Sequence, residues 1–313
     1  MRDGWTTRGY AAGLVALALV ALLATMAARR YVALGVLAIA FVVLTAVLVA
    51  VYTSGTVSRR RLERFAVRQR LVVTADNGNQ VIRYLATTRR WRVAGFVAGL
   101  VASGVFFPRP SGNISVGAEL IVIFVGWFAG ALIAEVRVEH LEHGPIRAAS
   151  LQPRRPERYV RRFTWALVPA AAVIAVATGA TTAAAAAMGW AEPNWAWAGF
   201  WLLVALAVAA TVRTIQHAVL RRPQPLAAPD VIAADDAIRS RALCVLSAGG
   251  AALVLLMVLN QIGSVHPVGV PDSVIYAVRV YGALAVALFG WLVATSPPPP
   301  APGRADQPAL GPA

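Results

Sequence analysis

The sequence predicts an all-α, polytopic integral membrane helix bundle of about eight transmembrane helices arranged as four hairpins. Three observations carry this. Of 313 residues, 58% are hydrophobic and 14% are charged, whereas soluble domains carry about 45–50% apolar and about 25% charged residues. Mean hydropathy is +0.65. Apolar runs long enough to cross a bilayer recur along the chain, and backbone groups in hydrocarbon must be satisfied within their own segment, which makes each run a helix. The composition excludes a disordered chain, a disulfide scaffold and a coiled coil.

The runs fall at 10–28, 31–53, 93–107, 114–136, 163–188, 195–212, 242–262 and 272–295, making residues 1–295 one transmembrane domain. The first has a second reading: residues 1–27 match a signal peptide cleaved after Ala27. The third is short. The fifth is Ala-rich around Ala183 to Ala187 and contains Pro169, so its insertion depends on neighbouring helices. Spans pair across short outer turns near Pro110, Pro193 and Pro267, and the hairpin starts at Trp91, Phe163 and Ala242 suggest a repeat. Residues 296–313 form a Pro-rich cytoplasmic tail, extended or disordered.

All 29 basic residues are arginine. Arg2 and Arg8 precede the first run; residues 54–92 hold ten, 137–162 seven, 213–241 five and the tail one. The opposite side has Arg29, Arg30 and Arg109. Cationic residues concentrate on cytoplasmic loops, so the expected location is a bacterial cytoplasmic (plasma) membrane with both termini inside. This distribution explains the net charge of +15 through attraction to anionic headgroups of the lipid bilayer, without nucleic acid. The abundance of Ala, Gly, Val, Pro and Arg points to a high-GC bacterium. Cys244 is the single cysteine, so no intrachain disulfide forms.

The first cytoplasmic segment is the richest. Ser58 to Phe65 is expected to continue the second span as a basic helix. Asp76-Asn77-Gly78-Asn79 is expected to be a turn. Val81, Ile82, Tyr84, Leu85 and Trp91 among four arginines suit a helix lying at headgroup level before turning into the third span. The functional reading of this segment is a docking platform for a cytoplasmic protein partner.

Ionisable residues inside spans are functional candidates. Glu119 and Arg279 are the candidate intramembrane ion pair, both in the outer third of the bilayer; the alternative has Arg279 snorkelling to the headgroups. Glu135 and Arg213 fall at inner ends. No carboxylate lies near a midplane, which counts against an ion-coupled carrier. Thr178, Gly179, Thr181 and Thr182 are the most polar midspan group, with helix packing as their simplest use. In Glu139-His140-Leu141-Glu142-His143 the histidines are i, i+3 neighbours, but no further metal ligand is evident. Gly95-x-x-x-Gly99 and Gly126-x-x-x-Gly130 permit close helix approach, within the chain or in a homo-oligomer. Trp190, Trp195, Trp197 and Trp201 suit an outer aromatic belt. No nucleophile elbow, nucleotide loop or paired catalytic carboxylate is present, so no enzyme activity, cofactor or metal is expected.

Arg89-Arg90-Trp91-Arg92 before a Gly-rich span, and Ala233 to Arg241 before another, make the chain similar to uncharacterised multi-pass membrane proteins of actinobacteria. That resemblance implies a membrane protein and carries no activity. The expected role is a non-enzymatic membrane component acting through partners at its Arg-rich cytoplasmic face. An accessory or permease-like transporter subunit served by a separate ATPase is one form. The alternative is a stand-alone facilitator of a small solute.

Overall fold

The computed structural model describes residues 57–106, 116–141, 147–148, 155–222, 224–225 and 228–297. The first two expected spans, the Pro110 turn and the tail beyond residue 297 lie outside them. The described chain forms seven α-helices: α1 (Arg59–Gln69), α2 (Ala75–Phe106), α3 (Val116–Leu141), α4 (Arg162–Ala187), α5 (Trp195–Arg221), α6 (Pro229–Ile262) and α7 (Asp272–Thr295). Four of these, α4, α5, α6 and α7, are long and apolar enough to cross a membrane. This is an all-helical protein with membrane-spanning capacity.

Helix α6 is the axis of the bundle. Of its most apolar stretch 89% is buried, against 28% or less in α4, α5 and α7. Leu243, Leu246, Leu256 and Val254 on α6 pack against Val168 of α4, Val212 of α5 and Phe128 of α3. The outer helices turn Val173, Leu203, Leu288 and Trp291 outward. In water, so large an apolar surface would be a liability; in hydrocarbon it is the lipid-facing side.

Glycines set the closest approaches. A Cβ on Gly95 of α2 would come 2.7 Å from the Gly130 Cα of α3, and one on Gly126 2.7 Å from the Gly99 Cα. The two glycine pairs therefore face each other within one chain, with backbone on backbone. Gly290 of α7 admits the Phe128 ring in the same way, with 2.9 Å to Cζ.

Pro169 sits inside α4 and cannot donate to the Trp165 carbonyl four residues back. Arg213 of α5 supplies a donor instead, its Nη1 lying 3.4 Å from that oxygen and its guanidinium 4.2 Å from the Trp165 ring centroid.

Short strands tie the helix ends. β1 (Arg147–Ala148) pairs antiparallel with β3 (Gln224–Pro225). β2 (Ala191–Pro193) pairs antiparallel with β4 (Val265–Pro267), with Glu192 opposite His266. β2 joins α4 to α5 and β4 joins α6 to α7, so those two hairpins turn at the same end of the bundle.

Two local expectations change. Asp76-Asn77-Gly78-Asn79 is the first turn of α2 and not a separate turn. Thr74 is its N-cap, accepting from Asn77 N at 3.3 Å, while Asn77 Oδ1 accepts from Thr74 N at 2.9 Å. This reciprocal capping box starts the helix earlier. Nor does this segment lie flat and then turn, because α2 runs unbroken into the apolar residues from Val93 onward. Val81 and Tyr84, three residues apart, lie on one face and bury against α6, so protein holds the helix upright.

Candidate docking platform

Both α2 and α6 begin well before their apolar stretches. Residues 75–92 precede Val93, and 229–241 precede Ala242. At 1.5 Å per residue these extensions run about 27 Å and about 20 Å. They need a core of their own, and they have one. Phe65 and Leu71 from the α1 region, Val81 and Tyr84 of α2, and Ala234, Ala237 and Ile238 of α6 form a second buried cluster.

Helix α1 closes this cluster. It ends in a Schellman motif, with Leu71 N on Ala66 O at 2.9 Å and Arg70 N on Val67 O at 3.3 Å. The turn places Arg70 at φ 51°, a left-handed conformation that glycine adopts more readily. It also sends Leu71 back under Phe65, whose ring centroid lies 6.0 Å from that of Tyr84. Thr74 donates to Asp230 Oδ2 at 2.5 Å, and Asn77 Nδ2 bonds Val72 O and Asp230 O, locking the two helix starts together.

Three polar nodes, the first two buried, hold the platform to the bundle. In the first, Asp235 is 0% exposed and pairs with Arg239 (1%) at 2.8 Å and Arg222 (14%) at 3.3 Å. Arg239 Nη1 also donates to Arg222 O at 3.0 Å, and its guanidinium lies 5.7 Å from the Tyr159 ring centroid. In the second, Tyr84 OH donates to Glu135 Oε1 at 3.1 Å, with Arg92 and Arg241 close enough to act on the carboxylate. Burial first, then the Glu135 charge, push the Tyr84 phenol well above its usual range, so it remains a proton donor. Arg241 donates to Ala294 O and so brings in α7. In the third, Asp236 accepts from Tyr159 OH at 3.3 Å and pairs with Arg158 at 3.5 Å, while Ser240 Oγ donates to Tyr159 O at 2.7 Å.

Outside these nodes the surface is cationic. Arg60, Arg64, Arg68, Arg70, Arg83 and Arg90 are exposed. Val67 at 78% and Val72 at 67% exposure lie among them.

Several residues singled out from sequence lie away from this platform. Arg279 lies on α7, where its Nη2 donates to Asn260 Oδ1 at 3.1 Å. It packs on Gly263 at the C-terminal end of α6, so its charge complements the carbonyl end of that helix. Glu119 is in the first turn of α3, and its side chain is outside the described ones. Thr178 and Thr181 bond carbonyls of their own helix at 2.9 and 3.0 Å. Gly179 admits Gln261 and Leu202, a packing role. The His140 side chain and His143 are also outside the described set. Trp197 and Trp201 stack at 6.3 Å beside exposed Trp190 and Trp195.

Sequence marks Glu135 only as an inner-end residue and does not mark Asp235 or Arg239 as a site. The i, i+4 Asp–Arg spacing in the Ala233–Arg241 motif was the available signal. Beyond that pair, their partners come from positions 13 to 80 residues away, from Arg222 beside Asp235 to Tyr159 beside Arg239. The platform also joins the two Arg-containing motifs, because Arg92 and Arg241 flank the same carboxylate. No family model matches the chain, and no curated protein or solved structure resembles it.

Proposed function

We propose that this chain is a non-enzymatic component of a bacterial cytoplasmic membrane that docks a protein partner on a projecting arginine-rich platform. In this reading the chain crosses eight times, with the four apolar helices described above joined by α2, α3 and two N-terminal spans. Both termini and the platform lie in the cytoplasm. An accessory or permease-like subunit is one form it takes.

One observation carries the reading. The platform has its own core and its own buried ion pairs, and with the third span starting at Val93 it would reach past the lipid. Asn77 bonds the Val72 carbonyl, and Asn77 lies 16 residues before Val93. That is about 24 Å along α2, or about 18 Å along the membrane normal even at a tilt of about 40°. A headgroup layer is only about 5–7 Å thick. Anchoring needs no such projection, whereas docking does. The facilitator has less support: between Leu243 and Leu259, α6 is packed almost entirely with Leu, Val, Ala and Gly, leaving Ser247 as its polar side chain.

The test is site-directed photo-crosslinking in native membranes. A photoreactive residue at Val67 should give a discrete protein adduct, and one at lipid-facing Leu203 should give only lipid. Lipid alone at Val67 and Val72 would defeat the proposal.

A further inference from the structure

We infer that the outward stripe of α1, made by Arg60, Arg64, Val67 and Arg68, binds a short acidic segment of a cytoplasmic protein that carries an aliphatic or aromatic side chain. The inference rests on the docking proposal and names the partner's chemistry. The four residues span about 100° of the helix surface, since each residue advances it by about 100°. The opposite side, with Leu62, Phe65 and Gln69, is turned into the platform. Glu63 is the one acid on α1 and is taken by Arg59 at 2.9 Å on the flank. Among the described residues Arg60, Arg64 and Arg68 pair with no carboxylate. Arg64 Nε instead donates to the Arg60 carbonyl at 3.2 Å.

The remaining occupants fit less well. A second copy of the stripe would bring like charges together. At its Arg68 end the stripe adjoins Val72, two residues past the Arg70 cap, and the distance worked above sets Val72 beyond the headgroups. Nucleic acid would use the arginines, but it gains little from an aliphatic Val67 at 78% exposure beside them. Phe65, the aromatic side chain of α1, is buried and unavailable for base stacking. A cationic stripe edged by an exposed apolar residue is complementary to an acidic amphipathic segment, which places an apolar anchor on Val67 and carboxylates on the arginines. The helix is 11 residues long, about 16 Å, so the matching segment is short.

The experiment uses the full chain in phosphatidylcholine nanodiscs. The probes are a labelled 18-residue helical peptide with a Glu face and a Leu stripe, its Lys-for-Glu counterpart, and a 20-nucleotide poly-uridine RNA, with binding read by fluorescence anisotropy. The acidic peptide should bind in a salt-sensitive manner, and the Lys peptide should not. Arg64→Ser with Arg68→Ser should weaken it at least tenfold, and Val67→Ser several-fold. Arg155→Ser with Arg221→Ser removes equal charge from exposed sites elsewhere and should change it less than twofold. Equal losses in both double variants, tighter RNA binding, or loss of peptide binding when phosphatidylglycerol is added would each overturn the inference. If Val67 still crosslinks a protein in native membranes, docking stands and only the acidic chemistry fails. If it does not, both fall.

Discussion

Replacing Asp235 with alanine should be among the most damaging single changes in the described chain. Its carboxylate is fully buried and holds Arg239 at 2.8 Å and Arg222 at 3.3 Å. Arg239 is itself buried, and its Nε has no hydrogen-bond partner. Without Asp235 this cation keeps only the carbonyls of Leu220 and Arg222 and the Tyr159 ring. Breaking a buried pair by removing one partner costs about 3–5 kcal/mol, because a desolvated charge is stranded. Arg222 is partly solvated, so Arg222→Ala should cost about 1 kcal/mol. Removing both buried charges, as Asp235→Leu with Arg239→Leu, should recover most of the loss, since well-packed apolar residues replace buried pairs at little cost. Reversible unfolding in mixed micelles, read as a mutant cycle, measures all of these. A loss under about 1 kcal/mol for Asp235→Ala, or strict additivity in the double variant, would refute the buried-node reasoning.

Further outcomes follow from other contacts. Gly126→Ala should destabilise by several kcal/mol because the new Cβ meets α2 backbone, whereas Gly199→Ala, with open space around it, should stabilise by up to about 1 kcal/mol in the same unfolding assay. Arg70→Gly should stabilise by about 1 kcal/mol by relieving the positive φ; no gain would show that Arg70 is not strained there. Tyr84→Phe should cost about 1–3 kcal/mol by leaving Glu135 without its donor, and a neutral effect would mean that water replaces the phenol. In mutant cycles, Arg279 should couple more strongly to Asn260 than to Glu119; the reverse order would support the Glu119–Arg279 ion pair as the dominant contact.

Much of the helical frame was legible because hydrophobic length is a strong signal. The 272–295 run coincides with α7, and α4 begins and ends within one residue of 163–188. The glycine spacing in α2 and α3 marked a close approach, although sequence could not say that each pair would meet the other. The platform was harder to see. Hydropathy ends a span where arginine begins, yet α2 and α6 continue through Arg89–Arg92 and Arg239–Arg241 with no Gly or Pro there to stop them. Arginine is rarely buried, so nothing in the sequence marks Arg239 as a core residue. Its burial depends on Asp235 one turn back and on Tyr159, a contact across 80 positions that no local pattern contains.

The sidedness of the platform underlies everything proposed for it, and cysteine accessibility in a Cys244→Ala background tests it directly. The probes belong at exposed sites, where a maleimide can reach them. Cysteines replacing Val67 and Asn79 on the platform, and Glu192 and Val268 at the β2–β4 end, meet that requirement. With an impermeant maleimide on intact cells, Glu192→Cys and Val268→Cys should label at once, while Val67→Cys and Asn79→Cys should label only after permeabilisation. Labelling of Val67→Cys and Asn79→Cys on intact cells, with protection of the other two, would put the platform outside the cell and contradict the account.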